Sequence, residues 1–388
     1  MGEKGFNVPM ALILTEEQQL IRESAKGFLA DKAPIGELRR LRDTKDEVGF
    51  SRELWQDMTE MGWAGIVVPE EYGGLGYGYV GAGLILEEMG RTLTASPLFS
   101  TAILSVTALA RLGNERQKND LLPAIASGRL IVALAIDESA HHNPADIALE
   151  AHRKNGGYVL NGNKSFVIDG HVADKLIVPA RTSGRRGQPK GLTFFVIDAG
   201  TTNVAIRRSI MVDSRNAARV EFANVAIGAE QILGPPDQAF DDLEYILDVG
   251  RICLAAEMLG IAQEVFEQTV QYLRERKQFG VPIGSFQALQ HRAATLFCDI
   301  ELCKSVVLKA LQGIDEKSTL LPALASLAKA KTGETTRVAV NEAIQMHGGM
   351  GMTDEFDMGF FIKRAEVARQ TFGDPNFHAD RLARLNGY

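Results

Sequence analysis

The chain has little cysteine, no long hydrophobic run and no basic stripe, and each shortage excludes something. Three cysteines in 388 residues, Cys253, Cys298 and Cys303, have neither an even-numbered framework nor metal spacing, so a disulfide scaffold and a cysteine metal site are set aside. They read as small core residues in a reducing compartment. The apolar run nearest the N-terminus, Pro9 to Leu14, is too short for a signal peptide or a membrane span and has an acidic flank. The expectation is a soluble, cytoplasmic protein with no membrane span. A net charge of -7 without clustered Lys and Arg argues against nucleic acid as a partner. What remains is ordinary globular composition, 45% apolar and 23% charged, with length for two or three domains.

Hydrophobic period divides the chain into three. Thr15 and Gln18 form a capping-box pattern, and Leu20, Ile21, Ala25, Phe28 and Leu29 then recur at helical spacing. Further helical runs at Trp55 to Met61, Leu84 to Arg91, Ala102 to Leu112 and Gln117 to Ala126 make residues 1–130 a helical domain. From there the period shortens to two, with Asn155-Gly156 and Asn161-Gly162 as hairpin turns, and residues 131–235 read as an antiparallel β domain. The basic segment Arg181 to Gly191 reads as an exposed loop. After Pro235-Pro236 the helical period returns and holds, so residues 236–388 read as a helical bundle. Gly76, Gly78 and Gly81 match a dinucleotide fingerprint, but no acidic residue lies about twenty positions on and no strand–helix alternation follows.

Chemistry concentrates between Tyr272 and Gln290. Gly280 and Pro282 stop a long helix just after Arg274 and Arg276. Arg276 then offers a rigid fork to phosphate or carboxylate, and Phe279 and Phe286 offer flat faces for a ring. The same stretch also reads as a helix hairpin with a solvated basic end.

These residues carry a resemblance. Arg276, Gln278, Phe279, Gly280, Pro282, Ile283, Phe286 and Gln287 match the R-x-QFG-x-PI…FQ junction of the acyl-CoA dehydrogenase family. Gln345, Gly348, Gly349 and Gly351 match its QxxGGxG turn, Arg251, Ala255, Ala256, Gly260 and Ala262 its R-x-x-x-AA-x-x-x-G-x-A helix, and Pro69 to Gly76 its PEEYGGLG segment. The chain resembles that family over essentially its whole length. The resemblance implies an α+β fold of helical, β and helical domains, FAD as cofactor, an acyl-CoA substrate oxidised to the 2,3-enoyl-CoA, and an electron-transfer flavoprotein as acceptor. It further implies that Arg276, Gln278, Phe279, Phe286, Gln287, Gln345, Gly348 and Gly349 hold the FAD of a neighbouring subunit. Phe166 would stack on the flavin, and Asp248 and Arg251 would lie near the thioester and its CoA arm.

The sequence also departs from the family. Where a YEGT turn usually supplies the base, the run is Phe372, Gly373, Asp374, Pro375, so Asp374 is the nearest carboxylate and the candidate catalytic residue; it also reads as a helix N-cap. The alternative base position on the helix is Gly250. The flavin-contacting TEPGAGSD segment appears as Asp137 to Pro144, and WIT as Phe166, Val167, Ile168. His141 and His142 suggest a metal or a proton shuttle, but without partner ligands they read as loop residues. Residues lent to a neighbour are intact while those serving the chain's own flavin are eroded. In this the chain is similar to the small-subunit branch of pimeloyl-CoA dehydrogenase-like heteromeric enzymes. That implies a homo- or hetero-tetramer with a second acyl-CoA dehydrogenase-like chain, in which this chain is either an active subunit or a catalytically inert partner. A flavin monooxygenase on the same fold is disfavoured by the Arg276 to Gly280 segment.

Overall fold

The computed structural model describes residues 12–388; Pro9 to Ala11 of the short apolar run lie outside the described residues. The first domain packs α1 (Glu16–Lys32), α2 (Ile35–Asp43), α3 (Arg52–Glu60), α4 (Gly78–Thr92), α5 (Val106–Leu112) and α6 (Glu115–Ala126). Thr15 caps α1 as its spelling implies: its hydroxyl accepts from the Gln18 amide at 3.2 Å while Gln18 Oε1 accepts from the Thr15 amide at 3.0 Å. The glycine fingerprint opens α4 at Gly78 and has no preceding strand, so it is not a dinucleotide turn. Leu98–Ser105, part of which reads as ordinary helix, is a π-helix leading into α5. The Thr101 and Ser105 hydroxyls both donate to the Val132 carbonyl, tying this wide turn to the β domain.

The middle of the chain is one eight-stranded sheet: β1 (Val132–Leu134), β2 (Glu150–Lys154), β3 (Gly157–Ile168), β4 (Lys175–Arg181), β5 (Leu192–Asp198), β6 (Val204–Ile210), β7 (Asn216–Ile227) and β8 (Ile232–Leu233). It runs β6-β7-β3-β2-β4-β5-β8, with β1 joined in parallel to β4, a pairing that alternation does not reveal. Asn155 and Gly156, both at positive φ, make the β2–β3 turn. Asn161-Gly162 is not a turn. β3 continues through it with a bulge against β7 at Leu160/Asn161, and Gly162 is at φ +139° where a Cβ would meet Leu149 at 2.9 Å. Arg181 is likewise not exposed loop: it is buried at the end of β4 and donates to the carbonyls of Ala145, Ile147, Gln188 and Lys190, organising the loop that follows.

The last domain is built on α7 (Phe240–Glu275), 36 residues long. A short hairpin of β9 (Lys277–Gln278) and β10 (Val281–Pro282) returns the chain into α8 (Gln287–Asp315), followed by α9 (Leu321–His347), α10 (Met358–Gln370) and α11 (Pro375–Leu385). α7 crosses α4 with backbones nearly touching: a methyl on Gly260 would lie 1.8 Å from the Glu87 carbonyl, and one on Gly90 2.1 Å from that of Glu257. Cys253 and Cys303 are buried as expected, whereas Cys298 is exposed on α8.

Candidate active site

Where the π-helix, the sheet and α7 meet, a cavity of about 340 Å³ is lined by Phe99, His142, Ile168, Leu254 and Phe372, among others. Phe166 sits at its edge, half-exposed and at φ +52° within the second β3 bulge, so its ring is turned out of the sheet. Lys164, fully buried, secures this region by donating to Glu138 Oε1 at 2.7 Å and the Ile136 carbonyl at 3.0 Å, and Glu138 also accepts from the Ala148 and Leu149 amides. Burial lowers the Lys164 ammonium's pKa against the pull of Glu138. Sequence reading missed this pair, since nothing local marks it.

Both places where a carboxylate base is sought are filled by packing. A methyl on Gly250 would meet Leu104 at 2.8 Å and the Phe372 ring at 3.1 Å, so Phe372 occupies the space above Gly250. Phe372 is at φ +58°, a strained conformation for an aromatic residue. Its carbonyl is held there by donors from Arg251 Nε and His378 Nε2, each at 3.1 Å. Next along the turn, Lys329 Nζ donates to the Gly373 carbonyl at 3.1 Å and to that of Arg369 at 2.8 Å. Burial, with Lys329, Arg251 and Arg381 nearby, holds the His378 imidazole down to about 2, so it is the neutral Nε2–H donor. Burial also drops Lys329 well below the usual lysine range.

Asp374 caps α11, accepting from the Phe377 amide at 2.8 Å. Asp374→Ala is expected to lower stability by about 1 kcal/mol, and Asp374→Asn by almost nothing, because asparagine caps equally well. Thermal melts compare the two, and a large loss in the Asn variant would refute a purely capping role.

Arg251, fully buried, stands between this cavity and a surface groove of about 850 Å³ that Glu244, Asp248, Phe377 and Arg381 help to line. Its Nη1 donates to Asp248 at 2.8 Å and Glu244 at 3.2 Å, and its Nη2 faces His142 Nε2 at 3.1 Å. Arg381 reaches the same two carboxylates. Burial raises Asp248 despite the two guanidiniums, whereas for Glu244, at the groove, Arg251 and Arg381 outweigh burial and lower it. His142 is a loop residue as read, but one with partners: its side chain is 7% exposed, paired to Asp137 Oδ1 at 2.9 Å, and tied to a residue 109 positions away.

The remaining sequence-chosen residues gather elsewhere. The end of α7, which leads into the β9–β10 hairpin and α8, meets the end of α9 through the tilted rings of Tyr272 and His347, 4.3 Å apart. Around them Arg276, Gln278, Phe279, Phe286, Gln287, Gln345, Gly348 and Gly349 are all exposed. Phe279 is 93% exposed at φ +56°, edge-on to Phe286. Arg276 makes no ion pair among the described residues. Nothing lies within 4 Å of a methyl placed on Gly348 or Gly349, leaving backbone open to a phosphate. A guanidinium, two rings and a bare glycine turn suit the diphosphate and adenine of FAD. Arg276, the C-cap of α7, follows Arg251 by 25 residues, about 37 Å along the helix axis.

Three family models match in the order of the folded domains: the acyl-CoA dehydrogenase N-terminal domain at residues 15–129, the middle domain at 137–225 and the C-terminal domain at 240–385. The chain belongs to the acyl-CoA dehydrogenase family, flavoprotein oxidoreductases acting on CH–CH bonds with FAD as cofactor. It is 32% identical over 361 residues to the mitochondrial isovaleryl-CoA dehydrogenase of Pongo abelii, covering 91% of this chain and 85% of the relative. A chain of the ChsE4–ChsE5 complex from Mycobacterium tuberculosis superposes with TM-score 0.88 at 25% identity, covering 98% of this chain and 100% of the other. The FAD complex of PigA gives 0.87 at 25%, covering 97% and 99%. No helix among the described residues is long and apolar enough to cross a membrane.

Proposed function

We propose that this chain is a subunit of an FAD-dependent dehydrogenase that introduces a double bond α,β to a CoA thioester, and that it works in a tetramer with a second chain of the same fold. The observation that carries this reading is the separation along α7. The cofactor clamp around Arg276 lies about 37 Å from Arg251, farther than one dinucleotide reaches, so the clamp serves a neighbour's flavin and this chain's cavity needs a clamp from another copy or another chain. The two-component ChsE4–ChsE5 assembly supports the heteromeric form. A second reading, a catalytically inert partner, is favoured by the interlocked Gly250 and Phe372.

Within the first reading Arg276 and the Gln345 to Gly349 turn would hold the diphosphate, Phe279, Phe286, Gln278 and Gln287 would hold the adenine, and Phe166 would pack on the flavin ring. The flavin, when bound, supplies the hydride acceptor. Asp248 positions Arg251 at the thioester end of the cavity. Asp374 is committed to its cap and plays no part in this reading. Electrons leave to an electron-transfer flavoprotein.

Arg276→Ala is expected to weaken FAD binding by the assembled enzyme at least tenfold, with stability unchanged, because an exposed unpaired guanidinium contributes little to folding. Flavin absorbance per chain, alone and after co-expression with a neighbouring dehydrogenase-like chain, reads it. Unchanged FAD affinity in the variant would refute the lent clamp.

A further inference from the structure

With Gly250 and Phe372 interlocked and Asp374 turned to its cap, no carboxylate stands where the family's base is sought, yet the cavity keeps a group able to take a proton. The ionisable groups lining it are Asp137, His142, Asp169, Asp213, Arg215, Arg364 and Glu366. Asp213 and Arg364 are paired to each other at 3.0 Å. Arg215 lies 2.9 Å from Glu257. Glu366 is held by Arg369 and Gln370 near the surface, and Asp169 accepts from Ser100 beneath the π-helix at 2.6 Å. His142 differs from all of these. Its side chain is 7% exposed, its ring centroid is 5.9 Å from that of Phe372, and its hydrogen bonds fix its tautomer. A guanidinium only donates, so Nε2 must be the acceptor from Arg251, and Nδ1–H then donates to Asp137. A neutral imidazole whose Nε2 lone pair is held by Arg251 and whose Nδ1–H is backed by a carboxylate becomes a general base once the Arg251 hydrogen bond is exchanged.

The geometry points to His142, oriented by Asp137, as the proton acceptor of the reaction; this rests on the dehydrogenase reading above. Arg251 Nη2–H, which donates to Nε2 in this structure, has an alternative acceptor in the thioester oxygen. Exchange of that one hydrogen bond frees the imidazole and places a donor on the oxygen where charge develops. The Cα–H bond then breaks, its proton passing to Nε2 and its electron pair becoming the new Cα–Cβ bond. A flavin, when bound, would supply the acceptor for the β-hydrogen and its pair, so that the substrate would lose two electrons and two hydrogens in all. The groups facing the protonated imidazole are Asp137 on its own loop, Arg251 and Glu244 from α7, and His378 from α11. Asp137 compensates the new charge directly, and Glu244 opens onto the groove, which gives the proton a way out.

The test separates proton from hydride transfer. The purified assembly is incubated in heavy water with butyryl-CoA, isovaleryl-CoA and octanoyl-CoA, and with 3-thiaoctanoyl-CoA, whose sulfur at the β position blocks hydride loss. Deuterium entering at Cα is followed by mass spectrometry, and flavin content is measured separately. His142→Gln is expected to slow exchange by 100-fold or more with unchanged flavin content. Asp137→Asn is expected to slow it by at least tenfold and to shift the pH at which exchange is half-maximal. If His142→Gln does not fold, imidazole rescue of His142→Ala takes its place. Exchange within threefold of wild type in the His142 variants, exchange abolished instead by Asp374→Asn, or no exchange by the wild type with any of these thioesters would overturn the assignment. Low flavin with normal exchange would count against the FAD reading and leave His142 in its role.

Discussion

Replacing Arg364 with leucine is expected to destabilise the protein by about 3–5 kcal/mol, the range for removing one partner from a buried ionic group. Arg364 lies 2.6 Å and 2.8 Å from the two oxygens of Glu257 and 3.0 Å from Asp213, and both carboxylates are almost fully buried. Without it two carboxylates are left facing Arg215 alone. Burial by itself would raise the Glu257 carboxyl, but Arg215 and Arg364 together outweigh it and hold the pKa at about 2. A carboxylate whose folded pKa is depressed contributes stability that is present above its unfolded value of 4.5 and lost as pH falls toward about 2. The stability gap between wild type and variant should therefore be widest near neutrality and narrow between pH 4.5 and 2. Urea melts across that window check it, and a pH-independent gap would mean the loss is one of packing alone.

The second large effect belongs to the α4–α7 crossing. Gly260→Val should cost about 3 kcal/mol or more, because the contacting atom is the Glu87 backbone carbonyl, which cannot swing aside as a side chain does, and the helices must separate. Gly27, exposed within α1 with nothing within 4 Å of a methyl, is the control. Gly27→Ala should be neutral or stabilising by roughly 0.5–1 kcal/mol on helix propensity alone. Denaturant midpoints for the pair decide the matter. A Gly260 variant as stable as wild type would show that the crossing relaxes.

What the sequence announces is what repeats or recurs locally. The change of hydrophobic period from helical to alternating and back gives the order helical, β, helical, and the α1 capping box is spelled out by Thr15 and Gln18. The clamp residues lie in two short runs, Arg276 to Gln287 and Gln345 to Gly349, and the fold brings those runs together at one end of the bundle. Hidden from the sequence are the features made by distant partners. His142 reads as a loop residue without partners because Arg251 is 109 positions away, and nothing near Lys164 marks its pairing with Glu138, 26 positions earlier. Asn161-Gly162 has turn chemistry, but the pairing of β3 with β7 uses its freedom for a bulge. β1 lies parallel to β4 for a reason that is tertiary, since the π-helix hydroxyls bind the Val132 carbonyl and hold that strand in place.

The length of α7 has one more consequence. On the proposed reading, one rigid rod carries Arg251 along its length and Arg276 at its C-cap, and the two serve different reaction chambers. No chamber is then the property of one molecule. Two defective versions of such a chain, one broken at the clamp and one broken at His142, are each able to supply what the other lacks, so in a mixed pair one chamber is whole and the other doubly broken. Damage is inherited by the assembly rather than by the chain that carries it.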